Sequence, residues 1–380
     1  MYRRMVRRQV RPNLARFQQE GAQDPPRVLI AGGGTGGHAI PALCVADELR
    51  ERGADVEFVG STGGIEALSV PRAGYKLHAL PLSGFSGGPA ACVRAGVLFL
   101  KALRRCRTIL EEYRPGVVLG VGGYASAPAV FAANTLKIPT FLHEQNSVPG
   151  RVNRFASRFT KRTFVAFPEA AGHLGGAVAV GMPTRKRFFR VSREQALHRL
   201  GLEPPVVLIF GGSGGALKLN LAAVEAFRIA TPYTVVQISG KRDFNRLSTD
   251  NPRHKIVEYD EEIWHSLAAT DVVVMRAGAG SLFDVAAVGR AAILIPYPHA
   301  AGDHQLHHAW YFTEKKAAEL LHDDEVTADT LRFCVEGLLR DDARRQKLAE
   351  NMRALSTPEA AGRVAGQLLA AATNTKGKRS

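Results

Sequence analysis

The chain carries one local pattern twice: an apolar strand, a turn rich in glycine, and then a helical stretch. The first copy is RVLIAGGGTGGHAIPA at residues 27–42, and the second is PVVLIFGGSGGALKLN at residues 205–220. Glycine after a buried strand lets the backbone turn sharply and approach a ligand, and the first amides of the following helix favour an anion. The sequence therefore predicts two phosphate-binding units in one chain.

Strand and helix signals alternate through both halves, which predicts parallel sheets with helices on both faces. At 380 residues the chain is also too long for one ordinary core. We expect an α/β fold of two Rossmann-like, doubly wound domains facing a cleft, with ligand at the carboxyl ends of the strands. The expected divisions are a basic arm (1–26), a first domain (27–183), a second domain (184–355), and a helix that returns to the first domain followed by a basic tail (356–380).

The cysteines and the N-terminal arm limit the cell compartments in which the chain is expected. The four cysteines are scattered without a C-x-x-C pair, which favours a reducing compartment and disfavours a zinc site. The arm lacks the apolar segment of a secretory signal, and a transit peptide is the less favoured interpretation of its arginines. No apolar run is long enough to span a bilayer.

The formal charge of +15 requires a partner or a solvated surface, and much of it lies in the arm and in residues 93–114. No nucleic-acid motif is present, so nucleic acid is not an expected partner. Basic residues that adjoin apolar ones favour an anionic membrane surface, with a solvated helix face and a disordered arm as the alternative. In 93–114 one helical face is predicted to carry Val97, Leu98, Leu100, Leu103, Ile109 and Leu110.

Three glycine loops follow predicted strands: GGGTGGH (32–38), GVGGYAS (120–126) and GGSGGA (211–216). A nicotinamide site requires an acid at the tip of the second strand, but DVEFVGSTGG (55–64) has none there. None of the loops ends in the G-K-[ST] of an ATP-binding P-loop. A sugar nucleotide is therefore favoured, with a nicotinamide-dependent oxidoreductase as the alternative.

Five segments occur in the order found in the MurG family of GT-B glycosyltransferases, which the chain resembles over about residues 27–370. They are GGGTGGHAIPA, GVGGYASAPA, HEQNSVPGRVNR, GGSGGA and RAGAGSLFDVAAVGRAAILIPYP followed by DHQ. The resemblance implies an inverting enzyme of peptidoglycan synthesis that moves N-acetylglucosamine from UDP-GlcNAc to the muramoyl sugar of an undecaprenyl-diphosphate-linked muramoyl-pentapeptide. It implies no metal or other cofactor, and a peripheral position on the cytoplasmic face of the bacterial cell membrane. Other cell-wall enzymes are further candidate partners.

The same resemblance assigns site residues. It places Thr35, Gly36 and Gly37 at the donor diphosphate and sugar, with Arg185 and Ser213 on the phosphate side. Asn146 and Gln305 would contact the transferred sugar, and Asp260 aligns with a uracil-contacting position. The segment that would hold the diphosphate and ribose comprises Ala279, Gly280, Ser281, Leu282, Phe283 and Asp284, and the acceptor-side loop comprises Gly122, Gly123 and Tyr124.

His38 is the predicted general base, because an imidazole titrates near neutral pH and His38 follows the glycine loop. The alternative for His38 is a hydrogen bond to its own loop. Glu144 is the second catalytic candidate, although Glu144 and His143 could instead brace their loop. His307 and His308 are expected on a helix surface.

Four positions depart from the family pattern: Met182, Gly214, Asp284 and His308 stand where asparagine, glutamine, glutamate and asparagine are usual. Each of these departures touches the predicted donor half. They keep two further alternatives open, a GT-B transferase for another UDP-sugar and an inactive scaffold homologue.

Overall fold

A computed structural model describes residues 24–82, 88–212 and 214–376. Within these residues two parallel sheets form, one of seven strands and one of six. The first sheet contains β1 (Arg27–Ala31), β2 (Asp55–Ser61), β3 (Lys76–Leu80), β4 (Val117–Gly120), β5 (Thr140–Glu144), β6 (Arg162–Val165) and β7 (Ala177–Ala179). The second contains β8 (Val206–Phe210), β9 (Thr234–Ile238), β10 (His254–Val257), β11 (Val272–Met275), β12 (Ala291–Leu294) and β13 (Glu319–Leu320).

Both sheets have the same doubly wound strand order. The first runs β3-β2-β1-β4-β5-β6-β7 and the second runs β10-β9-β8-β11-β12-β13. In register, Ile30 of β1 lies between Phe58 of β2 and Leu119 of β4. The order reverses between β1 and β4 and again between β8 and β11, and ligands bind at such switch points. The predicted fold class is confirmed.

Helices cover both faces of each sheet, as the alternating sequence signals predict. In the described part of the chain they are α1 (Gly36–Glu51), α2 (Glu66–Arg72), α3 (Pro89–Tyr113), α4 (Ala127–Thr135), α5 (Arg151–Ala156), α6 (Arg187–Arg190), α7 (Arg193–Leu200), α8 (Leu217–Ala226), α9 (Ile263–Ala269), α10 (Ala279–Val288), α11 (His304–Glu314), α12 (Ala328–Arg340), α13 (Asp342–Ala354) and α14 (Ala360–Lys376). None of these helices is long and apolar enough to cross a bilayer.

The last helix, α14, packs against the first sheet. Val364, Ala365 and Leu368 are fully buried in the core that also contains Val28 of β1. Just before α14, Thr357 exchanges hydrogen bonds with the backbone of Met182, at 3.0 and 3.2 Å. After the second domain, the chain therefore returns to the first domain beside Met182, where it had crossed to the second domain.

Helix α3 differs from its prediction. Ile109 and Leu110 are 1% exposed and belong to the core, whereas Val97 and Leu100 are 48% and 60% exposed. The six apolar residues expected on one face thus divide between the core and the surface. The physical reason is helix geometry: at about 100° per residue, the side of α3 that carries the buried Ala102, Cys106 and Ile109 lies opposite the side that carries Val97 and Leu100.

Three predictions fall on residues outside the described ranges. They concern the basic arm, Ser213, and residues 83–87 of PLSGFSGG (81–88), the segment that with residues 93–107 is predicted to form the membrane-facing patch. The last residues of the predicted basic tail, 377–380, also lie outside.

Candidate active site

The two switch points face each other across a cavity of about 460 Å³. One wall is the start of α1 in the first domain, and the opposite wall is the start of α10 in the second domain. The predicted residues that line it are Thr35, Gly36, Gly37, His38, Asn146, Arg185, Asp260, Ala279, Gly280, Ser281 and Asp284. These residues come from five separate stretches of sequence, which the fold brings to one cleft.

Two glycine turns form the first wall. The turn after β1 has positive φ angles at Gly32, Gly33 and Gly34, of 149°, 149° and 93°. The turn after β4 packs directly against it, since a Cβ on Gly123 would lie 2.6 Å from the carbonyl oxygen of Gly33. Glycine is required at this contact, and the contact places the predicted acceptor-side loop beside the start of α1.

His38 lies where these two turns meet. Its Nδ1 is 2.9 Å from the hydroxyl of Thr35, and its Nε2 lies next to Gly122, whose added Cβ would be 3.3 Å away. Burial lowers the pKa of His38 to about 4, against a smaller opposing effect of Glu66. The imidazole is therefore neutral at pH 7. The hydrogen bond to its own loop, expected as the alternative, is present, and it orients the ring.

Glu144 ends β5 and is 1% exposed. Its Oε1 accepts a hydrogen bond from the backbone N–H of Asn146 at 2.9 Å. Its Oε2 accepts from the backbone N–H of Gly150 at 3.0 Å and from Asn153 at 2.9 Å. Hydrogen bonds from Asn146, Gly150 and Asn153 therefore occupy both carboxyl oxygens of Glu144 and shield them from the cavity. This geometry matches the bracing alternative rather than catalysis, and it presents Asn146 to the cleft.

The second wall is built around the N-terminus of α10. The first backbone N–H groups of a helix have no intrahelical acceptor, so Ala279, Gly280 and Ser281 offer donors to an anion. Arg185 lies beside them, 3.9 Å from Asp284. Among the described residues no hydrogen-bond acceptor reaches the buried Nε of Arg185. The wall therefore combines helix amides with an available guanidinium group, the donors that a diphosphate needs.

Asp284 faces the same cavity from the second turn of α10. Burial raises the pKa of its carboxyl to about 7, and the charge of Arg185 partly opposes that shift. A pKa of about 7 places the Asp284 carboxyl at the boundary between its neutral and ionised forms at neutral pH.

His308 contradicts its predicted place on a helix surface, because it is 0% exposed. Its Nδ1–H donates to the carbonyl of Ala277 at 2.9 Å, and its Nε2 accepts from the backbone N–H of Ser147 at 3.1 Å. The ring also stacks on Phe167 with centroids 4.6 Å apart. One imidazole therefore joins the Asn146 loop of the first domain to the loop before α10. His307, in contrast, is exposed as expected.

Several predicted site residues do not line the cavity. Leu282 and Phe283 are 0% and 2% exposed and point into the second-domain core. The side-chain carbonyl of Gln305 accepts from the backbone N–H of Tyr297 at 3.0 Å. Glu144, Gly122, Gly123 and Tyr124 support the wall from behind. Asp260 does line the cavity, but its carboxylate is bound by Ser266 and by the backbone of Glu262.

Two of the departures from the family pattern have local partners. The carbonyl of Gly214 accepts a hydrogen bond from Arg242 at 2.6 Å, and a Cβ there would lie 3.3 Å from the same guanidinium. A longer side chain at this position would displace Arg242. Met182 is 1% exposed, and its side chain packs in the second-domain core where it borders the cavity.

Sequence reasoning missed Glu66, which lies beneath the first glycine turn. Its carboxylate accepts hydrogen bonds from the backbone N–H groups of Gly34 and Ser61, at 2.7 and 2.8 Å. An acid thus approaches the end of β2 after all, but it is buried beneath the glycine turn and does not line the cavity, so it is not placed to hold the ribose of a dinucleotide. The glycines of GSTGG at 60–64, which leave room for a buried side chain, were the available signal.

No group of three or more His, Cys, Asp or Glu side chains in the described ranges could hold a metal ion. The chemistry of the site is instead set by amides, one arginine and one neutral imidazole. Such an arrangement can bind a diphosphate and accept a proton nearby.

Comparison with known proteins agrees with this arrangement. Residues 28–165 match the glycosyltransferase family 28 N-terminal domain, and residues 206–364 match the family 28 C-terminal domain. The UDP-N-acetylglucosamine–N-acetylmuramyl-(pentapeptide) pyrophosphoryl-undecaprenol N-acetylglucosamine transferase of Rubrobacter xylanophilus is 66% identical over 330 residues, which cover 86% of this chain and 98% of that protein. The enzyme of the same name from Desulforudis audaxviator is 38% identical over 359 residues, with coverage of 88% and 95%.

A solved structure matches as well. The crystal structure of Acinetobacter baumannii MurG has a TM-score of 0.73 at 27% identity, covering 90% of this chain and 99% of that one. The chain therefore belongs to glycosyltransferase family 28 and, within it, to the MurG glycosyltransferases.

Proposed function

We propose that this chain transfers N-acetylglucosamine from UDP-GlcNAc to the muramoyl sugar of an undecaprenyl-diphosphate-linked muramoyl-pentapeptide. Membership of family 28 makes it a glycosyltransferase, and relatives that it covers almost end to end carry that transferase name. The single observation that carries the proposal is the pairing of two helix N-termini across one cavity, with a neutral histidine at the first and an arginine at the second.

The second wall is the proposed donor site. Backbone N–H groups of Ala279 to Ser281 and the guanidinium of Arg185 bind the UDP diphosphate, and Asp284 accepts hydrogen bonds from the ribose hydroxyls. These donors stabilise the negative charge that grows on UDP as the bond from its diphosphate to the sugar breaks. Asn146 orients the sugar from the cavity wall, whereas Gln305 lies outside that wall with its side-chain carbonyl bonded to Tyr297, so no sugar contact is assigned to it.

The first wall is the proposed acceptor site, with His38 as general base. His38 takes the proton of the acceptor hydroxyl, whose oxygen then bonds to C1 of the sugar. The bond between C1 and the diphosphate breaks, and UDP leaves with the bonding electrons from the opposite face. Transfer therefore proceeds with inversion, and Gly122 and Gly123 let the turn after β4 pack behind His38 and the Gly32–Gly34 turn.

The direct test is transfer of radiolabelled sugar to a short-chain lipid-linked muramoyl-pentapeptide. UDP-GlcNAc, UDP-GalNAc and UDP-glucose, each at concentrations below its KM, are compared in parallel with the same acceptor. The proposal expects UDP-GlcNAc to be preferred at least about 100-fold in kcat/KM, because a site that pairs a substrate hydroxyl or amide rejects analogues lacking that match. Preference for another UDP-sugar would establish the alternative GT-B activity, and UDP-GlcNAc binding without any transfer would point to the scaffold alternative.

The lipid-linked acceptor also requires a membrane surface, and α3 supplies a candidate. Val93, Val97 and Leu100 are exposed on its N-terminal half. A line of aromatic contacts continues from Phe99 through Phe131 to Phe155, with centroids 6.3 and 5.7 Å apart. Phe155 and the nearby Phe159 are each 50% exposed. Together these apolar and aromatic residues form what we call the membrane patch. The exposed basic residues around the membrane patch are Arg94, Lys101, Arg104, Arg105, Arg107, Arg151, Arg154, Arg158 and Lys161.

We propose peripheral binding of this patch to the anionic cytoplasmic face of the bacterial membrane. Each basic residue near such a surface contributes about 1 kcal/mol, so several give reversible attachment. Co-sedimentation with phosphatidylglycerol vesicles at low salt is expected, and it weakens on adding salt. Val97→Asp with Leu100→Asp should reduce it at least about tenfold, whereas Phe333→Asp, on the exposed face of α12, should not. Equal binding by all three proteins would contradict the assignment.

A further inference from the structure

Glu66 is a buried carboxylate outside the predicted set of site residues. It is the first residue of α2 and is 1% exposed. Its Oε2 accepts from the N–H of Gly34 at 2.7 Å, and its Oε1 accepts from the N–H and the hydroxyl of Ser61 at 2.8 and 2.7 Å. All three partners donate, so both oxygens act as acceptors, as an ionised carboxylate requires.

Three glycines make room for this side chain. A Cβ on Gly33 would lie 2.0 Å from a carboxyl atom of Glu66, and a Cβ on Gly64 would lie 2.1 Å away. At Gly60 the corresponding distance, to Cγ of Glu66, is 2.6 Å. The turn after β1, the end of β2 and the approach to α2 thus enclose one carboxylate, and no side chain could be added at any of the three positions without displacing it.

The carboxylate is connected to His38 in two ways. Gly34, which it holds, precedes Thr35, and the hydroxyl of Thr35 is bonded to Nδ1 of His38. Its charge also acts on the imidazole: burial lowers the pKa of His38, and Glu66 opposes that effect. The other titratable groups described around His38 are the imidazoles of His304 on α11 and His143 on β5. Glu66 is therefore the neighbouring group that favours protonated His38.

We propose that Glu66 is a positioning residue for the transfer reaction, which holds the Gly32–Gly34 turn and His38 in place and stabilises the imidazolium that forms there. The inference rests on the proposed function for the identity of the reaction. The proton moves from the acceptor hydroxyl to His38, and Glu66 itself exchanges none. A fixed negative charge near a group that becomes positive in the transition state needs no reorganisation during the step.

The test compares Glu66→Gln with Glu57→Gln. Glu57 is a matched control because it lies on β2, is largely buried and pairs with Lys76 and His78 at 2.9 and 2.6 Å, away from the cavity. We expect kcat of Glu66→Gln to fall about 10- to 100-fold, the size of effect that a small misplacement of a catalytic group produces. KM for UDP-GlcNAc should stay within about threefold, since the donor is held mainly by the second wall. Glu57→Gln should keep both constants near wild type.

A wild-type kcat in Glu66→Gln, or an equal loss in both variants, would overturn the inference. Where Glu66→Gln does not fold, Glu66→Asp replaces it. This variant keeps the negative charge but moves the carboxylate one bond farther from the N–H groups that it binds. It should lower kcat while leaving the titration of His38 unchanged, and an unaltered kcat would again contradict positioning.

The titration of His38, followed by NMR of its ring carbons and assigned with a His38→Gln variant, separates this inference from the proposed function. At a given acidic pH, His38 should be less protonated in Glu66→Gln than in wild type. If wild type transfers no sugar but this difference is found, the proposed reaction fails and the electrostatic link stands. If the two titrations coincide, the electrostatic part of the inference is wrong whatever the activity.

Discussion

The glycine turns after β1 and after β8 have similar sequences but different roles. The turn after β1 leads directly into α1, whose first residue, Gly36, lines the cavity. The turn after β8 leads to α8, whose start at Leu217 does not reach the cavity, and among the described residues of that turn Gly212 lines it. In the second domain the helix that faces the cleft is α10, which follows β11. The repeat in sequence is therefore a repeat of fold, but the helices that face the cavity do not occupy equivalent positions in the two domains.

The residues that pack beneath the two glycine turns also differ. The first turn lies on the buried carboxylate of Glu66 and against the turn after β4. The second lies against the end of β9, where a Cβ on Gly215 would be 2.7 Å from the carbonyl of Ser239, and Arg242 closes over Gly214. A buried carboxylate thus lies against each turn, but the partners differ. Glu66 accepts from the backbone of the first turn, beside His38, whereas Asp243, 2.8 Å from the same added Cβ on Gly215, accepts from the side chain of Asn220. Four predictions test this difference.

The largest effect is expected at the first wall, from His38→Ala. Loss of the general base should lower kcat about 10²- to 10⁴-fold, while the dissociation constant of UDP-GlcNAc changes less than about threefold. Radiolabelled transfer and calorimetric titration with UDP-GlcNAc measure the two quantities. If turnover survived, another group would have to be the base. The proposal that the first wall supplies the base while the second wall binds the donor would then be wrong.

Gly33→Ala and Gly212→Ala compare the supports directly. A methyl group at Gly33 displaces Glu66 and leaves its carboxylate without its donors, so we expect a loss of about 3 kcal/mol or more in the free energy of unfolding. Gly212 has a φ of 88° with nothing near its added Cβ, so only backbone strain of about 1–2 kcal/mol applies. Urea denaturation followed by circular dichroism gives both values. Equal losses would show that the carboxylate does not support the first turn.

His308→Asn tests the residue that joins the two walls. Burial lowers the pKa of His308 to about 3, so below about pH 6.5 the unfolded chain binds a proton that the folded chain does not. Wild-type stability should therefore fall as the pH is lowered from 7.5 to 5, and this residue's share is about 2 kcal/mol. Asparagine can still accept from Ser147 but does not titrate, so the variant should lose that much less. Parallel stability curves for the two proteins would contradict the neutral, buried imidazole.

The smallest effect concerns the second wall. Burial raises the pKa of Asp284 to about 7, and the ribose hydroxyls need its ionised form as acceptor. Affinity for UDP-GlcNAc should rise about tenfold between pH 6 and pH 8, following the ionised fraction. Asp284→Asn should bind more weakly and with little pH dependence over this range, and Asp284→Glu serves as the conservative control. A pH dependence that persists in the asparagine variant would assign it to another group.

Local sequence signals were sufficient for the fold. Apolar strands such as Val28–Ile30 and the glycine turns that follow them predicted two doubly wound sheets, because these signals depend on neighbouring residues only. The motif order also indicated the family and eleven of the 26 residues that line the cavity. The local pattern could not show which of these side chains were free to act, since that depends on contacts with distant segments.

Tertiary packing decided the rest. Glu144 is a brace because the loop after β5 folds its own N–H groups around the carboxylate. His308 is buried because Phe167 and Ser147, far away in sequence, cover its ring. Glu66 is under the turn because three glycines from separate segments leave room for it. The sequence by itself determined the architecture and the chemical class of the protein. The three-dimensional arrangement determined which groups are desolvated, which are paired and which face the cleft, because burial and charge are properties of the assembled neighbours rather than of any one stretch of chain.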